Sequence, residues 1–189
     1  WRDGYRGLAT NARKGRALAD WADRIERDYG YPLARIAPAD LPRWIASPRF
    51  HSGVHDPRSG HLHPLKYTLG LAEAAARAGV RLHEGSPVTA LQPGTPTVLR
   101  TPQGELPARQ VLLAGNVYLQ DIAPGLAPAL AARIMPVGTY IACSEPLGPA
   151  RADALVPSRS AVCDTDFVLD YFRTTDDHRM LYGGRVSYS

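Results

Sequence analysis

The sequence is poor in cysteine, methionine and lysine, and it has no long apolar run. Only Cys143 and Cys163 occur in 189 residues. Two cysteines are too few for a disulfide framework, so a reduced, cytoplasmic setting is expected. No stretch approaches the roughly 20 consecutive apolar residues of a bilayer span, and no membrane partner is expected. The Gly-x-Gly-x-x-Gly turn of dinucleotide-binding strand–turn–helix units is also missing. The chain opens on Trp1-Arg2-Asp3, without an initiator methionine or an apolar signal core. It stops at Val186–Ser189, inside a strand-like run, so the expectation is an internal piece of a longer protein. Of 22 basic residues 20 are arginines, giving a net charge of +4 and a pI near 9.3. They are scattered, and only Arg13, Lys14 and Arg16 bunch. A nucleic-acid surface needs a concentrated basic stripe with interleaved aromatics. A solvated helix face accounts for these three, and no nucleic-acid partner is expected.

What is present suits a globular core: 44% of residues are hydrophobic and 21% are charged. Leu18, Trp21, Ala22, Ile25 and Tyr29 recur at helical spacing and predict a helix over 11–29, ended by Gly30-Tyr31-Pro32. Pro38, Pro42 and Pro48 punctuate a looping stretch that follows. Residues 53–57 read as a short strand and Arg58-Ser59-Gly60 as a turn. Pro64 suits the first turn of a second helix, whose Leu65, Leu69, Ala72, Ala75 and Ala76 predict close packing against a sheet before Gly79.

Residues 80–84 and 86–91 read as strands. Residues 97–101 and 105–108 read as a hairpin across Gln103-Gly104. The apolar run over 110–114, closed by Gly115, has the form of a strand buried on both faces. A short helix is expected near 128–133. Strands are expected over 137–143, 167–173 and 180–182, the last two paired across a turn. The fold class is α+β (mixed α/β).

Several residues invite chemistry. A glycine after a buried strand, as at 111–115, lets a ligand approach the backbone. Asp164, Asp166 and Asp170 resemble a cation site, but the glycine turn and further oxygen ligands of a calcium loop are missing, and solvation at a turn explains them better. His61-x-His63 lacks partners at zinc-ligand spacing and reads as capping and packing around Pro64. No metal is expected. Cys143 and Cys163 read as buried small hydrophobes.

An ordered series supplies more specificity: residues 79–88 (GVRLHEGSPV), 108–116 (ARQVLLAGN) and 133–140 (RIMPVGTY). It resembles the FAD-dependent D-amino-acid oxidase, sarcosine oxidase and glycine oxidase family. Residues 47–53, 56–64, 164–173 and 181–189 are similar to the gamma-glutamylputrescine oxidoreductases within that family. The likeness covers nearly the whole chain.

The resemblance implies a two-domain FAD enzyme with its N-terminal Rossmann βαβ unit missing here. It assigns 1–52 to a helical segment of the substrate domain, 53–136 to a partial FAD-binding domain and 137–189 to antiparallel substrate-domain strands. The backbone of Val88 would meet the adenine side of FAD. Ala114 and Gly115 would lie against the phosphates, with Asn116 beside them. Pro136–Gly138 would cross toward the substrate half.

Tyr182 matches a tyrosine that faces substrate in sarcosine oxidases, Tyr171 and Arg185 could reach the same cavity, and Tyr140 would lie over the flavin beside substrate or serve only β packing. Arg185 would clamp a carboxylate, or form a surface or interdomain salt bridge. The implied reaction is oxidation of a small-molecule amine, with hydride passing to flavin, imine hydrolysis and reoxidation by dioxygen or another electron acceptor. No catalytic side chain is assigned. The substrate would be gamma-glutamylputrescine or a related polyamine derivative. The alternatives are a glycine- or sarcosine-type oxidase, or a fragment that only binds a partner.

Overall fold

Residues 2–9, which suggest no element from their pattern, form the centre of the larger sheet. In the computed structural model, which describes residues 1–123, 125–131 and 133–187, β1 spans Arg2–Ala9 and buries Leu8 and Ala9 completely. The chain divides into two compact units, the first made of Trp1–Tyr67 with Gly138–Ser187 and the second of Thr68–Val137.

In the first unit β1 leads into α1 (Ala12–Tyr29). The Asn11 side chain accepts from the Lys14 N–H at 3.0 Å, and Gly30 in the left-handed region closes the other end. β2 (Ala34–Ile36) is followed by a 3₁₀ turn over Pro38–Arg43 and by β3 (Ser52–His61). After the excursion through the second unit come β7 (Gly138–Cys143), α5 (Pro149–Leu155), β8 (Ala161–Asp164), β9 (Tyr171–Thr174) and β10 (Met180–Ser187). The sheet order is β2-β3-β1-β8-β9-β10-β7, with β1 and β8 parallel and the other neighbours antiparallel. Leu8, Ile36, Leu41, Ile45, Phe50, Val156 and Val162 form the core, flanked by Trp44, Leu155, Phe172 and Met180. Each fully buried aliphatic side chain contributes about 1.5–3 kcal/mol, which favours holding β1 and β8 side by side.

Two expectations change here. Residues 58–60 lie inside β3 rather than in a turn between elements. The Asp56 carboxylate accepts from the N–H groups of Arg58 and Ser59 at 2.9 and 3.2 Å, so the turn-like bonding is retained within the strand. The strand expected over 167–173 begins only at Tyr171, and Phe167 is 98% exposed.

The second helix, α2 (Pro64–Arg77), has the expected span, but none of its residues is buried. Its alanines therefore have no sheet packed on them among the described residues. In the second unit β4 (Ala90–Gln92), β5 (Thr97–Thr101) and β6 (Gly104–Ala108) make an antiparallel meander. A 3₁₀ turn over Asn116–Tyr118 and two short helices, α3 (Leu119–Ile122) and α4 (Pro128–Ala131), follow. The strands expected over 80–84 and 110–114 are absent, and Leu112 is 90% exposed. An apolar run becomes a buried strand only where a neighbouring strand satisfies its N–H and C=O groups. Among the described residues none pairs with these two segments.

Candidate functional site

The last strands of the first unit carry three of the four substrate-side candidates in regular register, and that register sorts them by face. Gly183 pairs with Tyr171, Tyr182 with Phe172, and Gly184 with Tyr140. The Tyr171 ring lies directly over Gly183, where an added Cβ would stand 2.1 Å from the ring, so only glycine fits. Tyr182 stacks on Phe172 with centroids 5.6 Å apart, on the face that carries the core. Since successive strand residues alternate, Tyr140 and Tyr182 share that face and Tyr171 lies on the other. The four candidates thus do not converge on one cavity within this unit. Arg185 is exposed and stands at a bulge opposite Tyr140 and Thr139, with φ of 61°. Tyr188 and Ser189, which belong to the motif over 181–189, lie outside the described residues.

The three aspartates are explained by neighbours that the sequence does not put beside them. Arg49 reaches Asp164 and Asp166 at 3.2 Å and Asp170 at 2.9 Å. Lys14 adds a second cation to Asp166, whose carboxyl is held below its ordinary range chiefly by that bond. The Asp164 side chain is fully buried and also accepts from the N–H groups of Asp166 and Asp170 at 3.0 and 3.2 Å. Burial, followed by the Asp170 carboxylate, pushes the Tyr182 hydroxyl up. This is an ion-paired loop closure. Among the described residues no group of three or more His, Cys, Asp or Glu side chains could hold a metal ion.

A cleft of about 1120 Å³ opens on the first unit, lined among others by Trp1, His61, Tyr67, Cys143, Arg173 and Leu181. Cys143, Leu181 and Arg173 are cross-strand neighbours on β7, β10 and β9, on the same sheet face as Tyr171. Cys143 is therefore exposed, not buried as its size suggests, and Cys163 is half-buried. His61 sits in the cleft wall, and His63 Nδ1 accepts from the Lys66 N–H at 3.3 Å at the start of α2. Arg173 and Arg49 gave no signal in the sequence, and His61 was read only as packing beside Pro64, because their partners lie more than 110 residues away or are backbone carbonyls.

In the second unit Val88 is half-buried in the segment before β4, whose Thr89 N–H bonds to the Arg100 carbonyl at 2.8 Å. Ala114 is exposed. Gly115 has φ of −77° and ψ of 0°, and Asn116 follows in the left-handed region with φ of 52°. An added Cβ on Gly115 would press against Leu119 at 3.0 Å. A right-handed then left-handed residue pair turns successive N–H groups toward one concavity, a shape that receives phosphate oxygens. Part of that set is engaged, since Asn116 Oδ1 accepts from the Val117 N–H at 2.8 Å. The local backbone thus fits a phosphate-bearing cofactor.

A family model described as FAD dependent oxidoreductase matches residues 1–189. Gamma-glutamylputrescine oxidoreductase of Escherichia coli (strain K12) is 38% identical over 189 residues, covering 100% of this chain and 43% of that protein. A probable oxidoreductase OrdL of Haemophilus influenzae is 33% identical over 189 residues, covering 99% and 44% respectively. The chain thus spans less than half the length of these curated relatives. Glycine oxidase from Geobacillus kaustophilus superposes with a TM-score of 0.74 at 19% identity, covering 99% of this chain and 48% of the other, a likeness of fold.

Proposed function

Because the chain belongs to the FAD dependent oxidoreductase family, we propose that the whole protein oxidises a small amine, with gamma-glutamylputrescine or a related polyamine derivative as substrate. The observation that carries this reading is the 38% identity to gamma-glutamylputrescine oxidoreductase along the entire chain. FAD, when bound, would supply the acceptor for the hydride on the carbon next to the amine nitrogen, the oxidation that yields an imine for hydrolysis, with dioxygen or another acceptor reoxidising it.

The residues of this chain bind and orient. Val88, Ala114, Gly115 and Asn116 are assigned to the cofactor side, supported by the phosphate-compatible backbone at 115–116. The assignment of 53–136 to the FAD-binding part and of 1–52 with 137–189 to the substrate part is kept from the resemblance, with 53–67 moved to the substrate part because β3 pairs with β1 inside the first unit. Tyr171 is the best supported substrate contact, since its ring shares a sheet face with the cleft. Tyr140 and Tyr182 occupy the other face and Arg185 sits in the bulge, so their assignment to substrate rests on the resemblance alone. Two free thiols support a cytoplasmic setting.

The test is anaerobic mixing of the purified full-length flavoprotein with single amines, read by loss of flavin absorbance. Gamma-glutamylputrescine should bleach the flavin faster than sarcosine or glycine. Faster bleaching by glycine or sarcosine would reassign the substrate, and bleaching by no amine would overturn the reading.

A further inference from the structure

The cleft on the first unit contains a guanidinium without an acid. Arg173 lines it from β9 and has no carboxylate partner among the described residues, although twelve ion pairs are formed elsewhere. Two uncharged acceptors hold it instead. Arg173 Nη1 lies 3.3 Å from His61 Nδ1, and Nη2 donates to the Leu62 carbonyl at 3.2 Å. The His61 ring is fixed in turn, with Nε2 3.0 Å from the Arg159 carbonyl. A carbonyl only accepts, so Nε2 carries the proton and Nδ1 is free to accept from Arg173. Burial, then the charges of Arg173 and Arg2, hold the His61 pKa below its ordinary value, which keeps this neutral form.

The other charges of the cleft are mostly spent. Arg2 pairs with Asp176 at 2.7 Å and Arg179 with Asp177 at 2.8 Å. Asp3 accepts from the Trp1 indole. The indole is neutral and leaves Asp3 charged, but Lys66 and Arg173 both lack ion pairs among the described residues, so two free cations face one anion and the uncompensated charge is positive. A half-buried guanidinium whose remaining N–H groups lack partners is pre-organised for a planar anion, and a carboxylate offers bidentate acceptors. Trp1 and Tyr67 add apolar surface beside it.

We infer that Arg173, positioned by His61, is the carboxylate-binding residue of this cleft, and that it selects amines bearing a carboxylate remote from the oxidised nitrogen. The second clause rests on the amine-oxidation reading; the first does not. Arg185, the candidate read from the sequence, stands exposed in the bulge of β10, with no such support.

The experiment uses the full-length flavoprotein and its Arg173→Gln and Arg173→Lys variants, with flavin absorbance and melting temperature checking that each folds. Titration calorimetry with glutarate reads the site directly. Arg173→Gln should weaken glutarate binding about 10- to 100-fold, the loss of a charge-assisted bond, and Arg173→Lys less. KM for gamma-glutamylputrescine should rise by a similar factor, while turnover of putrescine, which lacks the carboxylate, should change less than about 2-fold. His61→Ala should raise KM for gamma-glutamylputrescine by a smaller factor and leave putrescine unaffected, a split that general destabilisation does not produce. Equal effects on both amines, or glutarate binding unchanged in folded Arg173→Gln, would overturn the assignment. Glutarate binding lost in Arg173→Gln by an enzyme inert toward both amines would uphold the anion site and sink the amine-oxidation reading alone.

Discussion

The two units of this chain contain similar apolar patterns and treat them differently. In the first, β1 is sandwiched between β3 and β8, and Leu8 and Val162 disappear from solvent. In the second, the run over 110–114 is at least as apolar, yet Leu112 stands almost fully exposed and no strand forms. Among the described residues of 68–137, Ala123 alone is buried. The difference lies in the neighbours: a strand is a shared object, and hydrophobicity without a ladder partner leaves its backbone polar groups to water.

The sharpest way to break this comparison is to truncate one side chain in each unit. Leu8→Ala should destabilise the fold by about 2–5 kcal/mol, through lost burial and a cavity, in denaturant unfolding. Leu112→Ala in the same chain should stay within about 0.5 kcal/mol. A large effect of Leu112→Ala in a longer chain would identify a partner strand supplied from outside these residues.

The acidic loop gives the next largest expected effect. Asp164→Ala removes a buried acceptor of two N–H groups and one contact of Arg49, and should cost about 2 kcal/mol in the same assay. Its counterpart in the second unit is the exposed Arg100–Glu105 pair at 3.0 Å, where Glu105→Ala should cost less than about 0.5 kcal/mol. A smaller step is the helix start: Asn11→Ala should lose about 1 kcal/mol with its cap bond to the Lys14 N–H.

The last prediction concerns pH. Burial, with Arg6 near His55 and with Arg173 and Arg2 near His61, lowers both imidazole pKa values from 6.5. Below 6.5 the unfolded chain takes up protons that the folded first unit refuses, so stability falls as pH drops through that window. The unfolding midpoint should therefore decline from about pH 7 toward about pH 5, less steeply in His61→Asn. An unchanged slope in that variant would remove His61 from the account.

Local signals were legible where the chain satisfies itself. The α1 span, its closing Gly30 and the hairpin over 97–108 depend on residues a few positions apart and appear as read, while the Asn11 cap emerges only in the structure and Ala22 alone of the α1 stripe is buried. The β9–β10 pairing also appears, because a short turn fixes which strand comes next. The candidate site was less legible. The resemblance places Tyr182, and strand reach places Tyr171, toward one cavity, but strand alternation sends them to opposite faces. Arg185 was chosen for its charge, while Arg173 gained its place through His61 and Leu62, more than a hundred residues upstream.

The sequence by itself determined the family, through long ordered motifs, and the two long helices and the tight hairpin over 97–108, through spacings of a few residues. Tertiary structure alone decided which apolar runs became strands, which acids were neutralised and which arginine kept an open valence. Those outcomes depend on partners brought together by the sheet, and no local pattern records them.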